Sequence, residues 1–131
     1  MASSFTNLLE EEVLNRYFRN TTALAPAAVV YLALYSVAPG EGGGGTELSG
    51  DGYARTAITF AAPVGGVIVN ASDVLFPTAT PSGWTVNGAA IVDAAAGPAN
   101  ILAYDAYGAP VAVPAGQRAN VAAGSLTVSL D

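Results

Sequence analysis

Eight prolines, at positions 26, 39, 63, 77, 81, 98, 110 and 114, cut everything beyond residue 21 into short pieces. Proline has no N–H to give to a ladder or a helix interior, so each one marks a strand end, an edge or a loop. The pieces carry β-rich runs at Ala28–Tyr35, Tyr53–Phe60, Val67–Asn70, Val74–Phe76, Ala89–Val92, Ile101–Tyr104, Val111–Val113 and Ser125–Leu130. In the first, Val30, Leu32 and Leu34 alternate with Tyr31, Ala33 and Tyr35, the period of a strand with two distinct faces. In the last, Leu126, Val128 and Leu130 alternate with Ser125, Thr127 and Ser129. No helical pattern lies between these runs, which excludes a doubly wound α/β fold. The prediction is an all-β chain folded as a jelly-roll-like β-sandwich.

One stretch departs from that rule. Phe5, Leu8, Leu9, Val13 and Tyr17 recur at helical spacing, with Leu14 and Phe18 widening the apolar stripe. The spacing predicts a single N-terminal α-helix over Phe5–Phe18, capped by Ser3 or Ser4 and stopped at Asn20. Glu10–Glu12 precede Arg16 and Arg19, an order that suits the helix dipole and permits a Glu12–Arg16 pair. The organisation expected is an N-terminal helix or arm over residues 1–20 and a β-sandwich domain over 21–131. The helix either caps the sheet or docks on a neighbouring subunit.

The chain has no His, Cys or Lys. Cysteine and Ser–His–Asp nucleophiles, Schiff-base lysines and the commoner zinc sites are therefore excluded, and no enzyme, cofactor or metal is expected. The glycine-rich segment GEGGGG, Gly40–Gly45, lacks the lysine and the following helix of a phosphate loop. Glu41, Glu47 and Asp51 match no calcium-loop spacing and read as solvated loop charge. A net charge of −6 with only Arg16, Arg19, Arg55 and Arg118 as cations argues against nucleic acid and anionic membrane surfaces. The apolar stretch Ala23–Tyr35 is too short to span a bilayer and is broken by Pro26. The segment MASSFTNLLEEE has no basic n-region of a secretory signal, which points to synthesis in the cytoplasm without export.

Charged residues make up 11% of the chain and apolar ones 52%. A 131-residue domain cannot hide that much apolar material inside itself. Either the excess is alanine spread over an ordinary surface, or much of the surface meets other subunits, and the second reading is favoured.

The segments YLALY (31–35), TELSGDGYAR (46–55) and TFAAP (59–63), followed by VLFPTAT (74–80), Trp84, AIVDA (90–94) and AGSLTVSLD (123–131), resemble a family of small tailed-phage virion proteins. Members are described as tail-fibre-like or head-decoration (cement) proteins. The resemblance implies a non-enzymatic virion structural protein made in the host cytoplasm and placed on the outer surface of the particle. It implies contacts with the major capsid protein or other virion proteins, and a homotrimer. Capsid decoration is the first expectation. A tail-fibre or minor tail protein for host recognition is the second, and a carbohydrate-binding module the third. Candidate interface residues are Phe5, Leu9, Val13 and Tyr17 on the helix, Trp84 in a turn-rich segment, and Tyr104 and Tyr107 flanking Asp105 in an expected turn. Trp84 also reads as a core residue at the mouth of the sandwich, and that reading is the favoured one for it.

Overall fold

The alternation in Val30–Val37 is carried into a strand with two buried faces, and the rest of the fold assembles around it. The computed structural model describes residues 2–22 and 24–130. Ten strands and one helix follow in the order β1 (Ala2–Phe5), α1 (Asn7–Phe18), β2 (Val30–Val37), β3 (Thr46–Glu47), β4 (Thr56–Ile58), β5 (Val67–Val69), β6 (Val74–Thr78), β7 (Trp84–Val92), β8 (Ile101–Val113), β9 (Arg118–Val121) and β10 (Thr127–Ser129). A large sheet runs β3-β2-β7-β8-β1-β10-β5, with β4 also paired to β2, and β6 and β9 form a second, two-stranded layer. The result is a β-sandwich with unequal layers and one helix. β1 is the joint within the large sheet: Ala2 and Ser3 pair in parallel with β10, then Ser4 and Phe5 pair antiparallel with β8.

The main core lies between the layers. Leu32 and Leu34 of β2, Val86 and Ile91 of β7, Val74 and Phe76 of β6, and Leu126 pack together there. Phe76 and Leu126 are fully buried, and each contributes about 2–3 kcal/mol of transfer free energy. The opposite face of β2 and β7 holds a smaller cluster of Ala33, Tyr35, Ala90 and Val92, flanked by Tyr31, Ala99, Ile101 and Tyr104. Gly88 permits the close approach of β2's end to this sheet, because a Cβ there would lie 2.6 Å from the Ala38 Cβ and 2.8 Å from the Asp105 carbonyl. Asn70 is buried where β5 leaves the sheet. Its amide donates to the carbonyls of Ser72 and Ala122, and its Oδ1 accepts from the Leu126 N–H.

Four local expectations change. The helix begins at Asn7, two residues late, because Ser4 and Phe5 are taken by the ladder to β8. Thr6 holds the N-cap position without a side-chain cap bond; its hydroxyl instead donates to the Ile101 carbonyl at 2.6 Å. The two runs around Tyr104 and Val111 are one long strand, β8, interrupted by a bulge where five residue steps of β8 (Ala106 to Val111) face two of β7 (Val86 to Gly88). The segment around Trp84 is strand, not turn, since its indole is needed in the core. The helix stop holds: Asn20 has φ 51°, the left-handed conformation asparagine tolerates.

Candidate interaction site

Helix α1 rests on the sheet through one stripe only. Leu9 and Val13 are half-buried and line a cleft against Leu24, Pro26, Val30 and Leu102. The loop after the helix is gripped from α1: Glu12 accepts from the Leu24 N–H at 3.1 Å, and Arg16 reaches the Leu24 carbonyl at 3.5 Å. The second stripe has no cover. Leu14 is 57% exposed and Phe18 80%, with Leu130 at 58% beside Leu14, and Tyr17, at the end of the cleft row, is itself 77% exposed. A helix packed edge-on against one strand end buries one row of side chains, and the wider stripe leaves the next row in solvent.

The second apolar feature is concave. β8 and β9 are joined by the tight turn Pro114–Gln117, in which the Gln117 N–H donates to the Pro114 carbonyl. They nevertheless belong to different layers, so they diverge from that turn and leave a groove of about 610 Å³. Leu34, Phe76 and Val86 form its floor, and Tyr107, Val111 and Val121 its walls. Arg118 stands on one lip, its Nε donating to the Phe76 carbonyl at 2.7 Å. Next to Tyr107 in the chain, Asp105 pairs across the ladder with the core residue Ala89 and so shares the core-side face of β8. Burial pushes its carboxyl above the usual aspartate range. Burial, followed by the neighbouring Asp105 charge, pushes the Tyr107 hydroxyl up as well.

The third feature is polar and internal. Arg55 forks onto Glu47, with Nε to Oε1 and Nη2 to Oε2 both at 2.8 Å. Its remaining donors reach the carbonyls of Ala94 and Gly97 at 2.9 Å. Tyr53 donates to Glu47 at 2.7 Å and accepts from the Leu34 N–H at 3.0 Å. Burial alone pushes the Glu47 carboxyl up. The hydrogen bonds from Arg55 and Tyr53, with the Arg55 charge, outweigh it and hold the pKa below the ordinary glutamate value. The loop held by Arg55 is clipped at its base by Asp93, which accepts from the backbone N–H and the side-chain amide of Asn100. This cluster fixes two loops against β2 and leaves no carboxylate poised for acid–base chemistry.

The seven candidate interface residues therefore separate. Phe5 is half-buried against the main core, and Leu9 and Val13 face their own domain. Trp84 is 5% exposed, and its indole N–H donates to the Asp51 carbonyl at 3.0 Å, so the core reading describes it. Tyr104 lies on the back face with the smaller cluster. Tyr17 is open to solvent, and Tyr107 forms a wall of the groove. Leu14 and Phe18 belonged to the stripe but not to the candidates, although their i, i+4 spacing already set them on a second row. Val111 and Arg118 carried no signal, because the groove they border exists only through the divergence of β8 and β9.

Among the described residues no group of three His, Cys, Asp or Glu side chains is placed to hold a metal ion. No helix among them is long and apolar enough to cross a membrane. A family model described as Podophage GP4 fiber I protein gp80 matches residues 4–129, from the middle of β1 to the end of β10. No curated protein matches the chain.

Proposed function

The chain belongs to the Podophage GP4 fiber I protein gp80 family, a family of small tailed-phage virion structural proteins, and from this we propose that it is a non-enzymatic subunit of a tail fibre. The observation that carries this reading is the extent of the match, which takes in the whole sandwich, both apolar surfaces and the Arg55 cluster. The absence of His, Cys and Lys from the sequence supports a structural role. In this reading the protein is made in the host cytoplasm, assembles as a homotrimer and joins the outer surface of the particle through other virion proteins. Capsid decoration is the second reading. It is favoured by the lack of any extended shaft among the described elements, which makes the chain a compact block suited to filling seams.

Quantitative mass spectrometry on separated heads and tails of particles carrying the protein tests the choice. A fibre subunit is recovered with tails at a few copies per particle. Recovery with heads at capsid-like copy number overturns the fibre reading in favour of decoration. Absence from both fractions overturns both.

A further inference from the structure

The surface of the chain is larger than its mass requires. A compact 13.0 kDa monomer is expected to expose roughly 6,300 Å², yet the chain exposes 7044 Å². The excess of roughly 700 Å² is close to the ~800 Å² that each partner contributes to a standard stable interface. Two apolar features of that surface are opposite in shape: the convex row Leu14, Tyr17, Phe18 on α1 and the concave groove between β8 and β9. They cannot meet within one chain. α1 lies against Leu102 near the start of β8 and the groove opens at Val111, so they are separated by roughly 20 Å along the sheet, about the span of β7 from Val92 to Val86.

We propose that the Leu14–Tyr17–Phe18 row of one copy seats in the β8–β9 groove of a second copy, head to tail. This deepens the reading of the chain as a self-associating virion subunit and rests on it. The chemistry matches on both counts. Two aromatic rings and a leucine meet a floor of Leu34, Phe76 and Val86, and aromatic anchors in apolar pockets are what dominate interface energetics. Charge matches in direction as well: α1 carries Glu10 in its first turn, and the groove has Arg118 on one lip. The ion pair found among the described residues is Arg55–Glu47, so neither Glu10 nor Arg118 is ion-paired within its own copy among those residues. A head-to-tail contact leaves one row and one groove unused at the ends of any open assembly. Closure into a ring satisfies both in every copy, which a trimer achieves with one kind of contact.

The contact makes a prediction that no self-symmetric interface shares. Tyr17→Asp/Phe18→Asp removes the row and leaves the groove, and Val111→Asp removes the groove and leaves the row. The aromatic pair is about four-fifths exposed and Val111 is 50% exposed, so all three substitutions leave the core intact, as unchanged Trp84 fluorescence verifies. Sedimentation of the purified full chain at micromolar concentration is expected to give a multiple of 13.0 kDa. Each variant alone is expected to run at 13.0 kDa, its association weakened by roughly thirtyfold or more. An equimolar mixture of the two is expected to recover a pair, because each supplies the surface the other lacks. Three results overturn the proposal: a monomeric wild type, variants that still associate alone, or a mixture that stays monomeric. A monomeric wild type recovered from tails would leave the fibre reading standing while ending this one.

Discussion

Arg55→Ala tests whether the two loops on β2 are held by one bolt. The substitution removes four hydrogen bonds, two of them a bidentate fork onto Glu47. Charge-assisted bonds of this kind contribute about 1.5–3 kcal/mol each where water is excluded, and removing one member of a fully buried pair costs about 3–5 kcal/mol. Here the side chains are 10% and 23% exposed, so screening is partial and the expected loss is about 3 kcal/mol. For a domain of this size that corresponds to a fall in Tm of roughly 10 °C. Arg55→Lys keeps the charge but cannot fork, and is expected to lose about half as much. Urea unfolding followed by Trp84 fluorescence is a suitable assay, since the indole is buried and packs edge-on against Tyr53 at 5.7 Å. The pH dependence supplies an independent sign. Because the folded-state pKa of Glu47 lies below its ordinary value of 4.5, its contribution is fully present above that value and is lost as pH falls through the folded pKa. The wild type should therefore weaken relative to Glu47→Gln as the pH drops below about 4.5, and the difference should flatten in Arg55→Ala. A loss under about 0.5 kcal/mol, within the range of an ordinary surface substitution, would refute the bolt. So would a difference that does not change across that pH window.

Two further outcomes follow from the fold. Deleting residues 1–20 removes β1, which pairs with both β8 and β10, so the product is expected to aggregate or lose its β signal in circular dichroism; a soluble, cooperatively melting product would show that β1 is dispensable. Asn70→Ala leaves the buried Leu126 N–H and the Ser72 and Ala122 carbonyls short of partners, and is expected to cost about 2–4 kcal/mol in urea unfolding, against little change if water replaces the amide.

The fold class was legible because proline spacing and period-two alternation are local signals. Leu32 and Leu34 against Ala33 and Tyr35 predict two faces, and β2 has two packed faces. The final strand kept its pattern too, with Leu126 and Val128 buried and Leu130 left outside where the ladder ends. What stayed hidden depends on partners distant in sequence. Phe5 carries the same apolar spacing as the helix, and only the pairing of Ser4 and Phe5 with β8 at Tyr104 and Ala103 turns this segment into strand. β9, Arg118–Val121, has a weak local pattern and exists by pairing with β6. Arg55 meets both a carboxylate and backbone carbonyls, but which ones required the loop fold. The groove is legible nowhere in the sequence, because it is the space left when two strands joined by a four-residue turn enter different layers.

The central claim, that this chain is a subunit of a tail fibre, is tested most directly by an image of the particle. A gold label or a fused density on the chain, viewed on intact particles, is expected to lie on the tail appendages in groups consistent with a few trimers. Label spread over the head surface would contradict the claim and favour decoration, and unlabelled particles would remove the chain from the virion altogether.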